Sequence, residues 1–213
     1  MEVKDIFALR KQGRVEEAYA LIRPMYAVHK GKYTTLCMFW TASDILKKRI
    51  GEKRLDEAEK IFKALLRILP NIEDRDGRAH TSIYYEAVTL AREVNLDGTK
   101  ADGSSSATDG GQPTVRFSML DFVATLKIEE MRNEDWTGIL APAVDEKPSH
   151  LIPPVAQQML SYAFKELEAA PIVDNALKVM PLLQESVRRQ PHDKSNQQYI
   201  ALVKSIIEGA EKE

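Results

Sequence analysis

Cysteine occurs once in the 213 residues, at Cys37. A lone cysteine excludes an intrachain disulfide framework. Its place in Leu36-Cys37-Met38-Phe39-Trp40 marks it as a small buried hydrophobe, the usage expected in a reducing cytoplasm. No apolar run approaches the roughly 18 residues that a membrane span requires, so no membrane association is expected. The opening Met1-Glu2-Val3-Lys4-Asp5 enters an amphipathic pattern at once and lacks the basic stretch and apolar core of a secretion signal. Histidine is sparse: His29, His80, His150 and His192 stand far apart, with no i, i+4 pair of the kind a zinc site needs, and no metal is expected. Period-two alternation is nearly absent. The best strand candidate, Thr114-Val115-Arg116-Phe117, runs straight into a helical pattern through Leu120, Val123, Leu126 and Met131.

Catalytic patterns are missing as well. No Gly-x-Ser-x-Gly elbow occurs. Gly98 and Gly103 have the spacing of a phosphate-binding loop, but Ser104-Ser105 stand where Lys-Ser/Thr is required and no apolar strand precedes them. Asp97 and Asp102 begin a calcium-loop pattern that fails at Thr99 and Ala101. Glu129-Glu130 and Glu134-Asp135, beside Trp136, supply paired carboxylates suited to acid–base work, yet nothing there positions a substrate and a solvated helix end accounts for them. The chain is expected to be non-catalytic and to carry no cofactor.

What the sequence does have is helical periodicity. Leu55, Ala58, Phe62, Leu65 and Leu69 fall 3, 4, 3 and 4 apart, a continuous stripe on one helix face. Val15, Ala18, Ile22 and Met25 repeat the pattern, as do Ile200, Val203, Ile207 and Ala210. No helix of this length is stable alone, so each must pack on another. Glycine and proline punctuation divides the chain into about nine helices, and an all-α fold follows. Helices are expected to close at Gly13, Gly31-Lys32, Gly51 and Pro70-Asn71, with a fifth over about Thr81–Glu93 and a sixth over about Thr114–Arg132. An irregular stretch at Asn133–Pro154 then precedes helices over about Val155–Glu168, Val173–Arg189 and Lys194–Ala210. Pro24 and Pro181 fall inside two of these and are expected to kink or shorten them. The segment 97–113, with four glycines, three serines in a row and aspartates, reads as a flexible loop. It separates helical hairpins over 1–94 from a region over 114–213 that either continues the array or forms a bundle.

An internal match appears at an offset of 40. Gly13-Arg14-Val15-Glu16-Glu17-Ala18 aligns with Lys53-Arg54-Leu55-Asp56-Glu57-Ala58. In both, a turn leads to an apolar residue, two acids that complement the positive end of a helix dipole, and a small alanine that permits close approach of a neighbour. Phe62 and Pro70 follow in the second copy. The pattern resembles the tetratricopeptide repeat, whose second helix carries a small alanine, a downstream aromatic and a terminal proline. The resemblance is specific over residues 1–70 and elsewhere survives only as helix pairing. It departs from the family in its spacing of 40 rather than 34 and in first helices that lack the usual tryptophan, glycine and tyrosine, so other α-solenoids and irregular bundles stay open.

The resemblance implies a helical array whose first helices line a concave, peptide-holding surface. On the long helix beginning near Tyr33, the residues Tyr33, Trp40, Asp44 and Lys47 recur at 7, 4 and 3 and share one face. Rigid aromatics beside charged groups are typical anchors. With Lys48 they form the candidate partner-binding set, and the Lys47-Lys48-Arg49 run favours an acidic protein or peptide. From Arg23 to Arg67 eleven basic residues face five acids, although the whole chain carries −2. Nucleic-acid binding through this segment, and an enzyme of unrecognised type, are the alternative readings.

Overall fold

The computed structural model describes residues 2–73, 77–101, 116–137, 139–140, 151–152 and 154–210, the side chains of 97–101, 139–140 and 151–152 excepted. The fold is all-α. Nine α-helices occur among the described residues: α1 (Val3–Lys11), α2 (Val15–Val28), α3 (Lys32–Gly51), α4 (Leu55–Ile68), α5 (Arg78–Ala101), α6 (Met119–Val123), α7 (Val155–Ala169), α8 (Val173–Arg189) and α9 (Lys194–Ala210). A two-residue antiparallel ladder pairs Ile139 with Ile152 and Leu140 with Leu151 inside the stretch read as irregular. The chain divides into two compact units, Met1–Phe117 and Ser118–Glu213. No helix among the described residues is long and apolar enough to cross a membrane.

In the first unit, packing follows the amphipathic stripes. Helix α3 is central and packs on α1, α2, α4 and α5. It is therefore buried on most sides, and Thr34, Thr35, Thr41 and Ser43 join Cys37, Phe39, Ala42 and Leu46 in the interior. Cys37 is fully buried, its Sγ 4.0 Å from the Thr41 hydroxyl. The stripe of α4 turns inward, with Ala58, Phe62 and Leu65 at most 1% exposed.

The offset of 40 is also geometric. Helices α2 and α4 have 14 residues each, and α1 and α3 end at Lys11 and Gly51, 40 apart. Gly13 and Lys53 both adopt positive φ, 78° and 61°. The next residues, Arg14 and Arg54, match in backbone conformation (φ −81°, ψ 52° and φ −87°, ψ 64°). Their N–H groups donate to Leu9 O and Arg49 O at 3.0 and 2.9 Å, and their guanidinium groups pair with Glu17 and Glu57. Ala18 and Ala58 are both fully buried. The turn satisfies helix-end carbonyls that would otherwise lack partners, which is why a left-handed residue recurs there.

Two helices differ from expectation at both ends. Helix α5 starts at Arg78 and runs to Ala101, so the first five residues of the expected 97–113 loop are helical, and the remainder lies outside the described residues. The expected sixth helix over 114–132 shortens to Met119–Val123. Its start is held by Glu166 of α7, whose carboxylate accepts from the Ser118 hydroxyl (2.7 Å) and from the N–H groups of Met119 (2.7 Å) and Leu120 (3.1 Å). Its end is fixed by Thr125, whose hydroxyl and N–H both donate to Phe122 O, a local alternative to helix continuation. Asp135 belongs to no solvated helix end: it is 1% exposed and accepts the Arg132 N–H at 3.0 Å, while Glu129, Glu130 and Glu134 are exposed. Pro24 and Pro181 shorten neither α2 nor α8, both of which run through.

The second unit packs α6 on α7 and α8, α7 on α8, and α8 on α9. Phe164 stacks on Tyr199 at 3.9 Å between centroids. Between α7, α8 and α9 the Gln157 amide donates to the Ser186 hydroxyl and to Gln190 Oε1 (2.7 and 2.8 Å). Ser186 donates to Asn196 Oδ1 at 2.9 Å, and Asn196 donates to Gln190 O at 3.2 Å. Ser186 and Asn196 are fully buried, and a buried polar cluster is tolerated only when its members are satisfied in this way.

Candidate functional site

Contacts between α1 and α3 and between α3 and α5 place these helices side by side, and the charged face of α3 lies along that junction. Asp44 accepts from Arg10 of α1, through Nε and, at 3.3 Å, through Nη2. The same guanidinium lies 5.9 Å from the ring centroid of Trp40, which meets Phe39 edge-to-face at 5.1 Å. One turn on, Lys47 reaches Glu86 of α5 at 3.3 Å. The result is a row, Trp40–Arg10–Asp44–Lys47–Glu86, drawn from three helices. The Arg10–Asp44 pair keeps about a quarter of its side-chain surface exposed, Lys47 about half (54%), and Glu86 only 7%.

Glu86 is the electrostatically costly member. Burial pushes its carboxyl above the usual range; Lys47 opposes that rise and Asp44 adds to it. A buried acid held by a half-exposed lysine is a pair whose lysine has another option, namely a carboxylate arriving from solvent.

The remaining candidates lie elsewhere. Lys48, the next residue after Lys47 and so about 100° around the helix, faces α2, bonding Glu16 at 3.1 Å. Its neighbour Arg49, 9% exposed, binds Glu16 (2.7 Å), Glu52 (3.1 Å) and Glu57 (3.1 Å), joining α2, α3 and α4. The Arg49 hydrogen bond, with help from Lys48, holds the Glu16 carboxyl below its ordinary range. Tyr33 is 71% exposed at the start of α3, where it lines a largely apolar cavity of about 590 Å³. Trp40, Asp44 and Lys47 are thus brought together, whereas Tyr33 and Lys48 stand apart from them.

Two members of the row, Arg10 and Glu86, are absent from the sequence-derived set. For Glu86 a signal existed: it falls between Ile83 and Leu90 on the apolar face that buries Ala87, and an acid in such a stripe marks an unusual environment. Arg10 carries no comparable signal.

Several cations of segment 23–67 pair with acids from outside it. Lys32 pairs with Glu73, Lys47 with Glu86, Lys48 and Arg49 with Glu16, and Lys53 with Glu93. A second cavity of about 320 Å³ at the α3–α4 turn is lined by Lys53 and Arg54, both engaged by Glu93 and Glu57. No group of three or more His, Cys, Asp or Glu residues able to hold a metal occurs among the described residues. Comparison with protein-family models, with curated proteins and with solved structures returned no match.

Proposed function

We propose that this chain is a non-catalytic protein-interaction module of the cytoplasm. Its first unit would be a tetratricopeptide-like array that holds a partner's peptide on the surface shared by α1, α3 and α5. The single observation that carries this reading is the row in which Trp40 and Arg10 lie beside Asp44, Lys47 and Glu86. It offers an aromatic face for stacking, a cation half exposed to solvent, and fixed acids on either side. Such a surface suits a segment bearing a carboxylate next to an apolar or aromatic residue: the carboxylate takes Lys47, and the ring covers Trp40. The repeated turn at Gly13 and Lys53 supports the array, and the lone buried thiol of Cys37 suits a reducing compartment.

Affinity capture from the native lysate tests the reading with Trp40→Ala and Lys47→Glu beside the wild type. Both variants are expected to lose the same specific partners; Lys47→Glu also sets a carboxylate against the buried Glu86 and lowers the melting temperature, so capture is run well below the melting temperature of each variant. Retention of every specific partner by both would refute the assignment. Lys47, Lys48, Arg49 and Lys53 are engaged by acids of α2 and α5, which weakens the nucleic-acid alternative, and we do not favour it.

A further inference from the structure

We infer that the outer faces of α2 and α4 form a second docking surface, which takes an acidic segment of a partner protein through Arg23, Lys30, Lys60 and Arg67. It lies on other helices than the Trp40 row and does not depend on it.

The eleven cations of segment 23–67 divide by helix. Seven have an acid: Lys32 pairs with Glu73, Lys47 with Glu86, Lys48 and Arg49 with Glu16, Lys53 with Glu93, Arg54 with Glu57, and Lys63 with Glu59. Arg23, Lys30, Lys60 and Arg67 have none among the described residues. All four are exposed, and they lie on α2, just past its end, or on α4; none is on α3. Helix α3 is enclosed, so its cations meet acids of the helices around it, whereas α2 and α4 each turn one face outward. Nothing acidic stands beside the four in the chain: no Asp or Glu occurs from Ala18 to Ser43 or from Lys60 to Ile72.

The two helices present these cations on one surface. Glu16 and Glu57, in the first turns of α2 and α4, bind the same Arg49 guanidinium at 2.7 and 3.1 Å, so the helices start side by side. Each forms a hairpin with α3, so both run the same way. Their buried faces correspond through Ala18 and Ala58, both fully buried. Their outer faces correspond too: Ala20 and Ala27 are exposed at the places that Lys60 and Arg67 hold in α4. Lys60 and Arg67 are about 10.5 Å apart along that helix. Arg23 and Lys30 rest on rings, 5.6 Å from the centroid of Tyr19 and 5.9 Å from that of Tyr26. Cations held in this way lose less freedom on meeting a carboxylate.

Chemistry specifies the occupant. Four unpaired cations with no acid beside them are complementary to anionic groups. Single-stranded nucleic acid needs free aromatic faces for its bases, and Tyr19 and Tyr26 are half-buried with a cation already on each. An anionic membrane takes in a face of large apolar side chains, and Val28 alone is an exposed large apolar residue on these two helices. Side-chain carboxylates need neither feature, and they meet fixed cations one by one in charge-assisted hydrogen bonds.

The probe is a fluorescein-labelled, glutamate-rich peptide of about sixteen residues, long enough to cross both helices. It is titrated with the whole chain by anisotropy at about 50 mM salt. Saturable binding to the wild type is expected. Arg23→Glu and Arg67→Glu, one on each helix, should each weaken it at least about fivefold. Lys204→Glu, exposed on α9 and making the same change of net charge, should leave it within about twofold. Arg23→Gln and Arg67→Gln should weaken it in the same direction by about twofold, and they stand in for a reversal that unfolds the chain. Absence of saturable binding overturns the inference, as does equal binding by wild type, Arg23→Glu and Arg67→Glu, or an equal loss in Lys204→Glu. A labelled single-stranded RNA, or vesicles of equal parts phosphatidylserine and phosphatidylcholine, could bind more tightly than the peptide and lose that binding in Arg67→Glu. Either result assigns the face to nucleic acid or lipid and overturns the acidic segment. Sedimentation without peptide covers the remaining occupant: a wild-type dimer that Arg67→Glu converts to monomer assigns the face to a second copy and overturns the partner. Partners captured through the Trp40 row should be unaffected by Arg67→Glu, so the two readings fail separately.

Discussion

Replacing Gly13 by alanine tests the repeated turn at the level of a single dihedral angle. Gly13 has φ 78° and would meet nothing within 4 Å if given a Cβ, so the cost is purely one of backbone conformation. An L-residue in the left-handed region costs about 1–2 kcal/mol. Loss of glycine's freedom in the unfolded chain returns about 0.4–1 kcal/mol, leaving a net destabilisation of about 1 kcal/mol. For a unit of this size that is a fall of roughly 3–6 °C in melting temperature. Gly51 is the control. It also meets nothing within 4 Å, but it is the last residue of α3 and has no positive φ. Gly51→Ala should raise stability by about 0.5–1 kcal/mol through helix propensity alone. Urea denaturation followed by Trp40 fluorescence in a Trp136→Phe background measures both, since one tryptophan lies in each unit. If the two substitutions shift the midpoint in the same direction, the turn assignment is wrong.

Glu86 predicts a pH dependence. Burial raises its folded pKa above the unfolded value, so folding takes up a proton between the two. Its contribution is most favourable below the unfolded pKa, falls as pH rises through that window, and levels off above the folded pKa. Thermal melts of wild type and Glu86→Gln from about pH 4 to 8 should therefore show the glutamine variant gaining relative stability as pH increases; a constant gap or the opposite slope would contradict the assignment. In the second unit, Asn196→Ala leaves Ser186 and Gln157 short of partners in a buried cluster and should cost about 1–3 kcal/mol, whereas Lys194→Ala, at the exposed start of α9, should cost under about 0.5 kcal/mol. Equal urea midpoints for the two variants would remove the cluster from the account of this unit.

Helices with one apolar face were legible in the chain: Ala58, Phe62 and Leu65 of the apolar stripe form the buried face of α4, with Leu55 half-buried at its start, because α4 covers its neighbours from one side. Helix α3 was legible in its extent but not in its surroundings. It has neighbours on several sides, so Thr34, Thr41, Ser43 and even Arg49 are inside, and polar residues at those positions read as surface. The sixth helix was overextended because Leu120, Val123 and Leu126 keep helical spacing across a turn that Thr125 and the distant Glu166 enforce. The candidate surface was half legible. Trp40, Asp44 and Lys47 share a helix face, a property of one segment; Arg10 and Glu86 join them only through contacts 34 and 39 residues away in the chain.

The order in which helices meet also bears on how the chain folds as it is made. In the first unit each helix packs on the one before it, α2 on α1, α3 on α2, α4 on α3 and α5 on α4. The turns that join the first two hairpins are closed by bonds reaching back no more than five residues. Such local connectivity carries little loop-closure entropy and belongs to the fast end of the folding range. A hairpin of α1 and α2 is complete once Val28 has been synthesised, and the second can add to it without waiting for α5. The Trp40 row must wait, since Glu86 arrives with α5; during synthesis Lys47 is exposed without its acid, and the surface is completed only when α5 docks.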